Sequence, residues 1–429
     1  MKRVIQDILF FTLLLIFIPF YIKRKKGFKI NLIKRLGFLS KQEREFLAKK
    51  KNPLWIHAAS VGEVLTLRPL IKRIISEFGS EKFVLSCITQ TGYNIAKSEF
   101  KDVFFLPLDF SFLIEKYINL IKPVCFIAFE TEIWPQLFSI LYEKNIPVIL
   151  VNGRISDRAF KNYKRFKFFF KKILKKVSLF LMQSEIHKKR IIELGALPSR
   201  VEVLGNLKYE SAQIPLNEKE SRFYEFLKEK FKDKKIILGA STHSGEENIL
   251  LEVFKRLIKE FKDLVLLICP RHPERKNEIK ELIKKEGFSY TFLSKDSEFI
   301  VSDSNIIIAD LIGILRALYK LCYVSFVGGS LIRFGGHNVL ECAYFERPVI
   351  IGPFYDNFKE IISDFKKEEA IIIVKDKEEL FLSIKKLLKD KDFYLNISKK
   401  AKKILEKNKD LSLIYLKKIK ECLKEELKI

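Results

Sequence analysis

The sequence predicts an α/β protein of two domains, each built on a parallel sheet. Three observations carry this expectation. At 429 residues the chain is long enough for two separate cores. From Leu54 onward short apolar runs alternate with segments of helical period, the pattern of repeated strand–helix–strand units. The alternation halts once, across a polar stretch from Lys208 to about Asp233, and restarts at Ile236.

Residues 1–27 read as a membrane anchor. Residues 4–22 are almost wholly apolar, broken by Gln6, Asp7 and Thr12, and are followed by Lys23-Arg24-Lys25-Lys26. Such a run either just spans a bilayer or lies in its interface. The downstream basic cluster outweighs Lys2-Arg3, and no small-residue cleavage pattern follows, so a retained anchor with the body on the cytoplasmic side is expected.

The first domain, residues 28–215, has predicted strands at 54–57, 83–86, 103–106, 124–129, 148–151 and 179–182, with a further run at 201–206. Ala58-Ala59-Ser60-Val61-Gly62-Glu63 ends its first strand and opens a helix, which presents Glu63 at a sheet edge. A carboxylate there can serve as general base toward a hydroxyl. Ser60-x-x-Glu63 is also a capping box, in which Glu63 merely bonds back to the N-cap amide, and both readings stand. His57 and Ser60 lack an orienting acid and do not make a hydrolase triad. Phe129-Glu130-Thr131-Glu132-Ile133-Trp134-Pro135 sets two carboxylates two apart at the end of an apolar strand, on one face if extended. They read as site acids, as partners of a lysine, or as caps for the helix that Pro135 begins. Asn152-Gly153-Arg154-Ile155-Ser156-Asp157-Arg158 offers two guanidinium groups suited to an anionic acceptor, or to surface ion pairs with Asp157. In residues 161–176 basic residues interleave with Tyr163, Phe166, Phe168, Phe169 and Phe170, either to dock on anionic lipid or to fill the core.

The second domain, residues 216–395, has predicted strands at 236–240, 264–269, 306–309, 322–327, 348–351 and 370–374, and a lysine-rich helical tail follows at 396–429. Its most informative segment is the run from Gly328-Gly329-Ser330 through Gly335-Gly336-His337-Asn338 to Glu341, a glycine-punctuated turn between a strand and a helix. Glycines there let backbone amides approach an anion, and the helix adds its positive end, so the turn reads as a phosphate cradle at the carboxyl end of a parallel strand. Glu341 stands where a carboxylate can accept from ribose hydroxyls, and Asn338 either contacts the ligand or caps the helix. Gly239-Ala240-Ser241-Thr242-His243-Ser244-Gly245-Glu246-Glu247 is a second small-residue turn, with Ser241 as a phosphate contact and Ser244-x-x-Glu247 as a possible capping box. Pro270-Arg271-His272-Pro273-Glu274-Arg275 closes another strand, with Arg271 as partner for an anion and His272 read as structural.

The formal net charge of +27, from 80 Lys and Arg against 53 Asp and Glu, attracts anionic lipid, phosphorylated substrate or nucleic acid, unless it only reflects a lysine-rich composition. No nucleic-acid-binding motif accompanies it, which leaves only salt-sensitive, unspecific binding for that class. The six cysteines are scattered without a C-x-x-C pair, as in a reduced cytosolic body. Five separated histidines and no Asp-x-Asp pair give no metal site, so phosphate charge is expected to meet helix dipoles and arginines.

Two Rossmann-like halves with a phosphate cradle in the second suggest a nucleotide-sugar transferase of the GT-B type, with two domains facing a central cleft, donor in the C-terminal one and acceptor in the N-terminal one. In combination the segments resemble the 3-deoxy-D-manno-octulosonic acid (Kdo) transferase family. The matching stretches are 55–63, Glu130-Thr131-Glu132-Ile133-Trp134-Pro135, 151–156, Gly205-Asn206-Leu207-Lys208-Tyr209, 270–275 and the cradle through Glu341. The resemblance implies an inverting, metal-independent enzyme anchored at the cytoplasmic face of the inner membrane, moving Kdo from CMP-Kdo to a lipid A precursor. It also implies Glu63 as general base and Glu130 as second acid, with Glu132, Arg154 and Arg158 on the acceptor side. Ser241, Arg271, Gly328, Gly329, Ser330, Gly335, Gly336, Asn338 and Glu341 would hold CMP. The chain departs from the family pattern at Ile312-Gly313-Ile314-Leu315, where Met-Gly-Glu-Leu is usual, and at Gly352-Pro353-Phe354, where Gly-Pro-His is usual. The alternative expectation is a GT-B transferase using a UDP-sugar and a lipid-linked acceptor.

Overall fold

The structure is a computed structural model that describes residue 7 and residues 28–293, 304–311 and 313–427. The chain forms two compact units: the described residues up to Ser211 together with those from Asp410, and residues 212–409. Apart from Asp7, the expected anchor lies outside the described residues, as does Ile312. Among the described residues no helix is long and apolar enough to cross a membrane. Asp7 accepts from the amide of Ser111 (2.9 Å) and from Gln136 Nε2 (3.0 Å), and so occupies the start of the helix Ser111–Ile121.

The first unit holds seven strands, all parallel: β1 (Leu54–His57), β2 (Phe83–Cys87), β3 (Val103–Phe105), β4 (Cys125–Phe129), β5 (Val148–Gly153), β6 (Leu179–Met182) and β7 (Val201–Val203). Their order, β3-β2-β1-β4-β5-β6-β7, reverses between β1 and β4. Six of these strands were expected, because strands covered on both faces read as unbroken apolar runs, and β7 falls in the further run at 201–206. Trp55 pairs with Val84 on one side and Phe126 on the other, and its ring meets Phe126 edge-on at 5.1 Å. Leu54 and Ile56 point to the opposite face, into a second core with Leu67, Ile71 and Ile127.

That second core is completed from far along the chain. The helix Leu411–Leu427 inserts Leu411, Tyr415, Leu416 and Ile419 beside the helix Val61–Phe78. Tyr415 is fully buried, and its hydroxyl donates to the Gly205 carbonyl at 2.8 Å. Glu210 receives both the amide (2.5 Å) and the hydroxyl (2.6 Å) of Ser412, satisfying the first turn of this helix. The stretch read from sequence as one tail, 396–429, is thus shared between the units: the helix Lys391–Glu406 stays with the second, where Ile397 joins the core.

The second unit is also a seven-stranded parallel sheet: β8 (Lys235–Thr242), β9 (Leu264–Pro270), β10 (Thr291–Leu293), β11 (Ile306–Ala309), β12 (Val324–Val327), β13 (Val349–Ile351) and β14 (Ile372–Ile373). Its order, β10-β11-β9-β8-β12-β13-β14, reverses between β8 and β12. Only β10 was not expected: three residues at the sheet edge carry too little apolar pattern to register.

Tyr415→Ala opens a cavity in this core, and the expected cost is about 3–5 kcal/mol. Urea unfolding followed by tryptophan fluorescence checks this, since Trp55 and Trp134 both belong to the first unit.

Candidate functional sites

Each sheet reverses its strand order once, and open α/β sheets bind ligands at the carboxyl ends of the strands flanking that point. In the first unit these are β1 and β4; Glu63 stands in the first turn of the helix after β1, and Glu130 and Glu132 in the loop after β4. Glu63 does not form the expected capping box. Its Oε2 accepts from the Ala59 amide at 2.8 Å, one residue before the N-cap, and its Oε1 accepts from the Ser60 hydroxyl at 3.0 Å, which makes no cap of its own. Burial pushes this carboxyl up to about 7 against the Ala59 bond, and the charges of Glu132 and Glu130 push it the same way.

Glu130 sits at φ +54°, a left-handed conformation that costs a non-glycine residue strain and is held by its amide donating to the Val151 carbonyl at 2.9 Å. Its carboxylate pairs with Lys208 at 3.3 Å, one of the three readings left open for it. Glu132 approaches Nε2 of His57 at 3.8 Å. His57 is fully buried, with Nδ1 at 3.0 Å from both the carbonyl and the hydroxyl of Ser86, while Nε2 has no hydrogen-bond partner. The Ser86 hydroxyl is fixed in turn by Trp55 Nε1 at 2.8 Å. A buried imidazole therefore backs the acid cluster, a link that spacing along the chain could not reveal.

Further along the same edge Arg154 is half-buried and Arg158 exposed. Asp157 pairs with Arg190. The aromatic helices divide their side chains. Tyr163 and Phe170 pack against the core, whereas Phe166, Phe168 and Phe169 are exposed, Phe168 by 76%, with Lys172 standing 4.0 Å over its ring.

In the second unit the loops after β8 and β12 meet through a residue that the sequence reading passed over. Glu246 is fully buried; its Oε2 accepts from the amides of His243 (3.0 Å) and Gly329 (2.7 Å), and its Oε1 from those of Ser330 (3.0 Å) and Leu331 (3.0 Å). The first half of the expected phosphate cradle is thus filled by a carboxylate of the protein itself. Gly328 serves this closure, because a Cβ there would lie 2.7 Å from Glu246 Oε2 and from the Ser241 carbonyl. Ser330 is fully buried, donating to the Val327 carbonyl (2.5 Å) and accepting from the Gly352 amide (2.9 Å). The Gly335 carbonyl receives the Asn357 amide at 3.0 Å, and the Gly336 amide returns to the Gly329 carbonyl at 2.8 Å. Asn338 caps the Leu340 amide at 3.1 Å.

Ser241 lies at φ +54° and is buried. The capping box read at Ser244 and Glu247 does not form: Gly245 takes the N-cap, Ser244 donates to Glu278 at 2.9 Å, and Glu247 holds Arg275 at 2.8 Å. Arg271 is exposed, anchored by its amide to the Thr242 carbonyl at 3.0 Å, and has no carboxylate partner among the described residues. Glu341 is half-buried on the short helix Leu340–Tyr344; burial raises its carboxyl, and nearby Arg316 opposes the rise. At Phe354 the ring faces the Arg333 guanidinium at 5.6 Å in place of the usual polar group. Among the described residues no group of three or more His, Cys, Asp or Glu could hold a metal ion.

Comparison with known proteins gives these two sites a class. Residues 31–211 match the family described as 3-deoxy-D-manno-octulosonic-acid transferase, and residues 221–404 match glycosyl transferases group 1. A 3-deoxy-D-manno-octulosonic acid transferase of Haemophilus influenzae is 33% identical over 366 residues, covering 84% of each chain. A bifunctional glycosyltransferase/methyltransferase of Fusobacterium nucleatum is 35% identical over 420 residues, which is 96% of this chain but 63% of that longer protein. Among solved structures, a glycosyltransferase from Rickettsia africae shares the fold at 17% identity, with a TM-score of 0.57 over 88% of this chain and all of that one.

The two parallel sheets and the two domain matches define a glycosyltransferase. Within that class, the chain belongs to the Kdo transferase family.

Glu246→Gln replaces an oxygen that accepts two amides with an NH2 that faces them, and about 2–4 kcal/mol of stability is expected to go, read as a lowered unfolding temperature. Glu63 gives the opposite sign. Its folded carboxyl binds a proton more tightly than the unfolded one, so stability falls as pH rises from about 4.5 to about 7. Glu63→Gln should remove that slope and be the more stable form at pH 8, by on the order of 1–3 kcal/mol in chemical unfolding.

Proposed function

We propose that this enzyme transfers Kdo from CMP-Kdo to a hydroxyl of a lipid A precursor with inversion at the anomeric carbon, using Glu63 as general base. The observation that carries the reading is the Glu63 carboxyl itself, held by Ala59 and Ser60 and raised to about 7. A base must hold a proton well enough to take it from a hydroxyl yet be ionised at the working pH, and this value meets both demands. Burial and then the charges of Glu132 and Glu130 keep that proton affinity high, and Lys208 offsets the charge of Glu130.

Glu63 removes the acceptor proton as the oxygen attacks the anomeric carbon, and CMP departs, with no covalent intermediate. Arg271, unpaired and exposed, supplies the charge that meets the departing phosphate. The tight internal bonding of Gly328–Leu331 assigns that loop a shaping role, leaving the later residues Gly335, Gly336, Asn338 and Glu341 for the nucleotide. No metal takes part in this scheme. Arg154 and Arg158 meet the phosphorylated acceptor.

The acceptor is a membrane lipid, and the exposed Phe166, Phe168 and Phe169 among lysines support docking of the first unit on an anionic bilayer. Together with the apolar run at 4–22 and its basic flank, this favours a location on the cytoplasmic face of the inner membrane. Specific nucleic-acid binding has no part in the reading.

The test is transfer from CMP-Kdo, generated in situ, to a tetra-acylated lipid A precursor, with products weighed by mass spectrometry. Wild type is expected to add Kdo, and Glu63→Gln to lose at least about 100-fold in rate. Below about pH 7 the rate at low substrate should fall roughly tenfold per pH unit as Glu63 protonates, with a plateau above. Full turnover by Glu63→Gln would remove Glu63 from this role. Transfer from a UDP-sugar but not CMP-Kdo would replace the donor.

A further inference from the structure

The second unit holds a pair of imidazoles for which the scheme above has no use. Nε2 of His243 and Nε2 of His337 lie 2.8 Å apart, and the rings are almost coplanar, tilted by only 4°. At that distance one nitrogen must donate and the other accept, so a single proton sits between them. The ring that donates through Nε2 then has a bare Nδ1, while the accepting ring carries its own proton on Nδ1. Gly329, at φ +66°, makes the meeting possible: a Cβ there would stand 3.1 Å from the His337 ring and 3.4 Å from the His243 ring.

The surroundings are cationic and open. His272 meets His243 edge-on at 5.9 Å, and Arg271 and His272 both lie near enough to oppose further charge on either ring. Arg275 also bears on His243 but is neutralised by Glu247 and Glu278. Phe334 covers one side of His243 at 3.8 Å. Beneath the pair Glu246 spends both oxygens on four amides and offers the imidazoles nothing. Burial, first, then the neighbouring His243 and Arg271 hold His337 down to about 4, and burial, then His272, Arg275 and Arg271 push His243 down as well. The pair is therefore neutral at neutral pH when the unit is empty, although it stands beside an unpaired arginine. An arriving phosphate reverses the local field and favours the charged form.

We propose that the His243–His337 pair is the proton-storing part of an anion site: when a nucleoside phosphate binds beside Arg271, the bare Nδ1 takes one proton from solvent, and the pair becomes a single cation sharing the proton between its Nε2 atoms. Departure of the nucleotide returns that proton to water, so no other reactant is required. The proposal rests on the reading of the second unit as the nucleotide-binding one.

The experiment is calorimetric titration of the full chain with cytidine 5′-monophosphate just above neutral pH, in buffers of different ionisation enthalpy, which counts protons taken up on binding. Uptake of up to about one proton per nucleotide is expected, and His243→Gln and His337→Gln should each abolish it while weakening binding. Binding without uptake, or uptake unchanged in both variants, overturns the proposal and leaves the donor reading intact. If cytidine 5′-monophosphate fails to bind but uridine 5′-diphosphate binds with histidine-dependent uptake, the pair stands and the donor reading falls. Nitrogen NMR of the wild-type imidazoles supplies a check free of any folding defect: one Nδ1 must move from the unprotonated to the protonated range on adding nucleotide, and its failure to move counts against the pair.

Discussion

Both halves of this enzyme depend on a gap in a parallel sheet. Where strand order reverses, two neighbouring loops run off in opposite directions and leave their backbone groups unpaired with each other. The second unit closes its gap with one carboxylate, Glu246, which gathers four amides from two loops that are more than eighty positions apart in sequence. Without that anion the amides of Gly329, Ser330 and Leu331 would face one another's positive ends, and no arrangement of glycines would hold them. The His243–His337 contact, the turn at Gly335 and the placement of Arg271 all follow from the loops being fixed in this way.

The first unit solves the same geometric problem with charge of both signs. Three glutamates gather where β1 and β4 end, and each has a different companion: backbone and hydroxyl for Glu63, Lys208 for Glu130, the buried face of His57 for Glu132. Glu63 has no ion pair among the described residues, and burial raises its carboxyl to about 7. The two units are thus electrostatic opposites, one organised around clustered carboxylates and the other around exposed cations and neutral imidazoles.

Much of this was legible in the sequence because parallel strands covered on both faces announce themselves as apolar runs. Six strands of each sheet could be read directly, and the strand ends then located Glu63, Glu130, Glu132 and Arg271. What was not legible depends on contacts across the reversal points. Glu246 looked like one of two acids opening a helix, and nothing in its spacing tells that it turns back on another loop. The turn at 328–331, with its glycines at 328 and 329, has the signature of a phosphate cradle because a carboxylate and a phosphate ask the same thing of backbone amides. The short edge strand β10 and the pairing of His243 with His337, ninety-four residues apart, likewise arise only once the chain is folded.

The helix Leu411–Leu427 has a consequence for how the protein is made. It supplies Tyr415 and Ile419 to a core whose other walls come from residues before 212. During synthesis the first unit therefore emerges with that face only partly covered, by the helix Val61–Phe78, and it must wait for the whole second unit to leave the ribosome before the cover is completed. An apolar surface exposed for so long is a natural client for a chaperone or for a nearby bilayer. The order of the chain thus ties maturation of the acid-bearing unit to prior completion of its neighbour, so that a stalled or truncated product never carries a finished acid cluster on a sealed core.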